Sequence, residues 1–437
     1  MSEEASLDEI VEIDSEVEGE FVETAAGQLP VDWDTKNVDE LCALRNGKAT
    51  NHTEIGEQQF LVYGSNGPIG SSLLSNFHGG LIFGRVGAVG EVERVREPVW
   101  VSDNAIRASV TDNCNTDFIY YFLSHEELSN LATKTAQPLL NQSTISHITV
   151  PSPPLPEQRK IASVLYTVDQ AIQKSENIIQ QIKTIKQGIF KDFIYGAGSD
   201  RQFEDKMIGP RVVSLPKDWK VVQIEDALQR NIIFEQQDGN HGNNYPRKNE
   251  FVDRGVPYIS AEMLSEGEVD FSKAKYLTEE RANQLRIGFA KNGDVLLAHN
   301  ATVGPTGLLE TTSDFVIIGT SLTYYRCNPN EVSNQYMTYF FQSGTFQKQL
   351  QDVMRQSTRN QVPITRQRNL HLILPPIRQQ REITNQIDAV NQKLQTENQY
   401  LGGFKRLKRG LMQDLLSGTV RTTDTNIEVP DEIMQYG

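Results

Sequence analysis

The chain has 437 residues, with 57 acidic against 42 basic side chains, a formal net charge of -15 and three cysteines. That length admits two or three domains with real cores, and three widely spaced cysteines (Cys42, Cys114, Cys327) supply neither a disulfide framework nor a zinc cluster, which points to a reducing cytoplasm. The charge would argue against a nucleic-acid partner if it were evenly spread, but residues 1–27 hold ten acids and no base and residues 422–437 hold four and none, leaving 43 acids against 42 bases in the body.

The two acidic ends, 1–27 and 421–437, are expected to be disordered, solvated tails. With no basic residue before Lys36 the N-terminus does not read as a signal peptide, and no apolar run approaches a membrane span. A salt-rich host is a second explanation for the tails, disfavoured by the near-neutral body.

Leu29-Pro30-Val31-Asp32-Trp33 opens a first globular unit, 28–153. Within it Gln59–Tyr63, Gly80–Phe83 and Pro98–Ser102 read as short strands, separated by turn-rich loops at 64–68 and 84–90. Asp117 to Leu131 reads as an amphipathic helix. The proline cluster Pro151–Pro156 then marks entry into a long helix, because proline is tolerated only in a first turn.

Over that helix, in a segment drawn as 154–198, apolar residues fall at alternating steps of four and three: Ile161, Leu165, Val168, Ile172, Ile179, Ile182, Ile189 and Phe193. Ser175 and Lys186 interrupt the stripe. A 3.5-residue period held this long predicts a coiled-coil seam. A linker is expected over 199–213. Leu215-Pro216-Lys217-Asp218-Trp219 then opens a second globular unit, 214–374, in which Asp294–Ala298 reads as a strand and Asn334–Val353 as one helix.

After Pro375-Pro376 a second long helix, 375–420, repeats the first at an offset of 222: Ile383, Ile387, Val390, Leu394, Leu401, Phe404, Leu411 and Leu415, with Glu397 and Lys408 standing for Ser175 and Lys186. The flanks match too, Glu157-Gln158-Arg159 against Gln379-Gln380-Arg381. Matching exceptions are harder to obtain by chance than matching leucines. The chain is an internal duplication of the order globular unit, long helix. Its expected class is α/β (α+β).

The catalytic inventory is short. There is no phosphate-binding Gly-x-x-x-x-Gly-Lys-Ser/Thr loop, no His-Glu-x-x-His or paired-cysteine metal site, no Gly-x-Ser-x-Gly elbow and no Asn-Pro-Pro-aromatic string. No metal or cofactor site is therefore expected in the chain, and it is not expected to be an enzyme.

Binding remains. Arg355, Arg359, Arg366 and Arg368 lie, with Arg378 and Arg381, in a stretch (353–381) without a single acid. Such forks suit phosphate and guanine, or the face of an acidic partner protein. Lys48, Arg85, Arg94, Arg96 and Arg107 are the corresponding candidates in the first unit, or plain surface residues. Lys405, Arg406, Lys408 and Arg409 could meet phosphates or favour their helix C-terminus.

Pro-x-Pro-Glu-Gln-Arg-Lys-Ile at 154–161, with the heptad helix after it, resembles the central spacer of type I restriction–modification specificity (S, or HsdS) subunits, and 376–418 is similar to their second spacer. Val62-Tyr63-Gly64-Ser65-Asn66-Gly67, Phe83-Gly84-Arg85-Val86-Gly87 and Trp100-Val101-Ser102-Asp103-Asn104-Ala105 are similar to one class of their target recognition domain. The second unit departs from it, with His299-Asn300-Ala301-Thr302 where Arg85-Val86-Gly87 stands, which makes Asn300 a candidate contact of its own.

The resemblance implies a non-catalytic, cytoplasmic DNA-binding subunit with two tandem target recognition domains. It implies a bipartite site in double-stranded DNA, two methyltransferase (M) subunits using S-adenosylmethionine, and restriction (R) subunits using ATP and magnesium. A dyad across the duplex would make the two helices antiparallel, set Ser175 and Glu397 in the same central layers, and let the pair act as a ruler between half-sites. A stand-alone tandem DNA-binding regulator and a coiled-coil scaffold that binds no nucleic acid stay open as alternatives.

Overall fold

The structure, a computed structural model, describes residues 20–49, 60–133, 138–195 (side chains to 189), 202–239, 244–356 and 359–434. The expected disorder of 1–19, the spacer end at 196–198 and the start of the linker at 199–201 lie outside them. The chain divides into two compact units, residues 1–178 with 397–437, and residues 179–396.

In the first unit, a four-stranded antiparallel sheet runs in the order Cys42–Asn46, Ala105–Val110, Gly80–Gly84, Val92–Val95. Beside it lies a three-stranded sheet of Gly67–Ser72, Phe60–Gly64 and Trp100–Val101, whose last pair is parallel. A two-stranded ribbon, Asp34–Asn37 with Thr149–Ser152, closes the unit where the long helix begins.

The second unit repeats this plan. Its four-stranded sheet is ordered Ile233–Asp238, Leu322–Cys327, Val295–Asn300, Thr302–Leu308. Its second sheet again holds a parallel pair, Val256–Ile259 with Val316–Ile318. Its closing ribbon is Lys220–Gln223 with His371–Leu374. Residues between Ile259 and Val295 add a short helix, Glu279–Asn283, and an edge strand, Phe289–Ala290.

The repetition reaches single glycines. A Cβ on Gly47 would lie 1.9 Å from the Ser102 carbonyl oxygen, and one on Gly239 would lie 2.0 Å from that of Gly319. In both units the first strand of the larger sheet leaves through a gap that admits no side chain.

The long helices are Leu155–Tyr195, of 41 residues, and Ile377–Leu416, of 40. They pack together, and in the first unit they run antiparallel: Asp169 meets Lys408 and Ser175 meets Glu397. The seam is more than a coiled coil. Ile161 and Leu165 are fully buried in the first unit's core with Leu415 and, partly, Leu411, while Ile383 and Ile387 belong to the second unit's core with Ile189 against it. Val168, Ile179 and Ile182 are buried, and Ile172, Val390, Leu394, Leu401 and Phe404 half-buried. The side chain of Phe193 lies outside the described residues.

Five expectations need correction. The end of the acidic N-terminus is folded, because Phe21–Thr24 pairs with Gly27–Pro30 in a hairpin. Much of the expected linker 199–213 is the equivalent hairpin, Phe203–Ile208 with Arg211–Pro216. In each the second strand carries the Leu-Pro pair whose leucine is buried in the unit's core. The expected C-terminal tail is seated over 421–434, ending in the short helix Asp431–Met434 with Ile433 fully buried. Both expected globular helices are also interrupted. Thr116–His125 stops at an extended Glu126. Ser343 is extended and divides Asn334–Gln342 from Gly344–Met354, its hydroxyl capping the latter at the Phe346 N–H.

Candidate nucleic-acid interface

A recognition tip must be held by its scaffold, and in both units the long helix is fastened by the same two side chains. The Trp33 indole donates to Glu157 Oε2 at 3.1 Å, and the Trp219 indole to Gln379 Oε1 at 2.9 Å. Next along each helix, Gln158 accepts from the Asn115 N–H at 2.9 Å and donates to the Pro153 carbonyl at 2.8 Å. Gln380 accepts from the Ser333 N–H at 2.9 Å and donates to the Pro375 carbonyl at 2.8 Å. Asn115 and Ser333 cap the globular helices. A buried glutamine thus joins the start of each long helix to the cap of its unit's own helix. The flanking match signalled these positions in the sequence, but nothing there gave their roles.

At the end of the third strand of each larger sheet, where the chain turns toward the edge strand, the backbone forms the same tip. The Arg85 N–H donates to the Asn104 carbonyl and its carbonyl accepts from the Leu140 N–H; His299 does the same with Ser321 and Val362. Val86 bridges Leu139, and Asn300 bridges Gln361. Next come Gly87 at φ +85° and Ala301 at φ +62°. These positions coincide in backbone and differ in side chain.

The candidate cations divide by what they touch. Arg94 and Arg96 both reach Asp117, whose side chain is fully buried, and Arg94 stacks over Tyr120 at 4.9 Å and Arg96 over Tyr166 at 5.4 Å. Their charge is committed to the unit's interior. Lys408 pairs with Asp169 at 2.6 Å, and Tyr121 donates to that same carboxylate at 2.9 Å. Burial and Asp169 push the Tyr121 phenol up. Lys405 pairs with Glu176 at 2.9 Å, so both lysines fasten one long helix to the other.

Lys186, the counterpart of Lys408, has Asn391 at the position equivalent to Asp169, and burial lowers its ammonium pKa. Arg107 lies over Phe77, and burial, then Arg45, lowers it. Arg368 meets Glu225 at 3.5 Å and Gln236 at 3.2 Å. Lys48, Arg355, Arg359 and Arg366 are exposed, Arg85 and Asn300 half-buried.

All three cysteines are free, and burial pushes their thiols up to about 12. Among the described residues no group of three His, Cys, Asp or Glu is placed to hold a metal.

The family model of the type I restriction modification DNA specificity domain matches the chain twice, over residues 30–184 and 216–401. The chain belongs to this family. It is a type I restriction–modification specificity subunit with two tandem specificity domains, and this membership decides against the stand-alone regulator and the scaffold.

A type I specificity subunit, the MjaVIII subunit of Methanocaldococcus jannaschii, is 22% identical over 316 residues, 71% of each chain. The EcoBI specificity subunit of Escherichia coli is 22% identical over 354 residues, 77% of this chain and 72% of that one. Among solved structures, the type I S subunit from M. genitalium superposes with a TM-score of 0.58 at 15% identity, covering 88% of this chain and 96% of that one. A chain from a study of type I complex assembly and conformational transition gives 0.54 at 14% identity, covering 89% and 99%. These likenesses are of fold. Among the described residues no helix of the specificity subunit is long and apolar enough to cross a membrane.

Proposed function

We propose that this specificity subunit reads a bipartite site in double-stranded DNA, one half with each unit. In the cytoplasm it recruits two methyltransferase subunits carrying S-adenosylmethionine, and restriction subunits using ATP and magnesium can join. The chain itself performs no covalent chemistry and holds no cofactor. The observation that carries the reading is that both units present the same backbone tip, at Arg85–Gly87 and His299–Ala301, with different side chains. Two like modules with unlike readers fit two unlike half-sites.

The test is expression of the chain with and without a cognate methyltransferase subunit, followed by mapping of methylated bases. The pair should methylate adenine in a two-part sequence, and the chain alone should methylate nothing. Replacing residues 38–148 by the same stretch of a relative should change one half of that sequence only. The exchange keeps the N-terminal hairpin and the closing ribbon in place. Methylation by the purified chain alone, or a change in both halves, would defeat the reading.

A further inference from the structure

We propose that the second unit reads purines in its half-site with the carboxamides of Asn300, Asn360 and Gln361 and the guanidinium of Arg359, gathered on one tip. The inference rests on the function proposed above and names the residues that give one half of the site its sequence.

Two loops meet there. The turn from Asn300 to Thr302 is closed on the 359–362 segment by the Asn300–Gln361 bridge, by the Ala301 N–H donating to the Asn360 carbonyl at 3.0 Å, and by the Val362 N–H donating to the His299 carbonyl at 2.8 Å. Arg359 and Asn360 are exposed, Asn300 and Gln361 half-buried. No acid occurs in 295–309 or 353–381, so nothing on either segment repels phosphate.

Among the described residues the amides of Asn300, Asn360 and Gln361 make no side-chain hydrogen bond. Each offers a donor and an acceptor side by side, the pair that adenine presents as N7 and N6 in the major groove, while arginine matches N7 and O6 of guanine. Three amides without a protein partner, gathered on one tip beside an arginine, are placed to meet base edges.

The tip is also held still. Ala301 at φ +62° is in a conformation alanine rarely adopts, and the bond to Asn360 keeps it there. Beneath it lies Gln367, fully buried, which donates to the Val362 carbonyl at 2.8 Å and Thr323 Oγ1 at 3.0 Å. It accepts from the Tyr325 hydroxyl at 2.5 Å and the Gln236 amide at 3.4 Å. Every polar atom of Gln367 is engaged, so the loop that carries the readers is tied to the sheet. The first unit's tip has the same closure with Arg85, Val86 and Leu139, which suit guanine and the thymine methyl instead.

The experiment selects bound sequences from a randomised duplex pool with the full chain in complex with its methyltransferase subunit. Asn300→Ala, Asn360→Ala, Gln361→Ala and Arg359→Ala each leave the buried network intact, and an unchanged thermal midpoint confirms folding. Each is expected to relax the preference at one or two adjacent positions of a single half-site, by about 5- to 150-fold, with the other half unchanged. Uniformly weaker binding with the selected sequence retained would mean phosphate contact only and overturns the inference, as would no change at all. If the unsubstituted complex selects no sequence, the function proposed above fails and takes the inference with it. If it selects a two-part site that all four variants keep, only the inference fails.

Discussion

The Ser175 hydroxyl donates to Glu397 Oε1 at 2.6 Å, and the two residues stand 222 positions apart, at the same place in the two copies of the duplicated helix. Both sit at the middle of their helices, Leu155–Tyr195 and Ile377–Leu416. Ser175 is only 3% exposed. A carboxylate acceptor makes this one of the stronger classes of hydrogen bond, and its place among the apolar residues at the centre of the seam ties the register to one layer.

Ser175→Ala should therefore destabilise the helix pair by about 1.5–3 kcal/mol, because Glu397 loses its donor while staying half-buried. Ser175→Ala with Glu397→Leu should recover most of that loss. A double-mutant cycle in urea unfolding measures the coupling; additive effects would mean the bond contributes nothing to register.

The buried glutamines predict a second pair of effects. Gln158→Leu leaves the Asn115 N–H and the Pro153 carbonyl without their partner, and Gln380→Leu does the same to Ser333 and Pro375. Each should cost about 2–5 kcal/mol, from the polar groups it orphans, which for Gln380 include the Glu331 carbonyl. Hydrogen exchange should show each variant loosening its own unit's capped helix first, Thr116–His125 or Asn334–Gln342.

Arg421 grips Glu157 through two bonds of 2.8 and 2.9 Å and Asp32 through two of 2.9 and 2.6 Å. Glu157 is 2% exposed, so Arg421→Met strands a buried carboxylate and should cost about 3–5 kcal/mol. Limited proteolysis should then release the segment after Ser417. Hydrogen bonding to Arg421 holds the Asp32 carboxyl below its usual value. A depressed carboxylate contributes its stability at neutral pH and loses it as pH falls from about 4 through the lower folded value. Attachment of the C-terminal segment should weaken over that acid range, and Arg421→Met should remove that dependence.

One heptad inserted after Ser175 and another after Glu397 preserves the seam and adds roughly 10 Å at 1.5 Å per residue. The half-sites should then move apart by about three base pairs without changing their own sequences, each pair rising roughly 3.4 Å. Methylation mapping reads the spacing directly. An unchanged gap in an active complex would show that something else sets it.

The duplication was legible because its evidence is local: a repeated stripe, repeated interruptions and a repeated Leu-Pro-x-Asp-Trp. The strands Gly67–Ser72 and Val92–Val95 were not. Glycine and proline fill the first and Glu93-Arg94 interrupt the second, so their state comes from ladder partners distant in sequence. Arg94 and Arg96 looked like surface cations because Asp117, which they neutralise, lies on another element. The tails misled for a related reason: composition does not report that Ile433 would find a core or that Arg421 would find Glu157.

The first unit is built from both ends of the chain. Residues 397–437 belong to it, and Leu415, Leu416 and Ile433 fill its core beside Leu29 and Phe118. The second unit, 179–396, is one uninterrupted stretch. During synthesis the second unit is therefore complete while the first still waits for its last helix. A premature stop within the final forty or so codons would yield an intact second unit and a first unit with an open core.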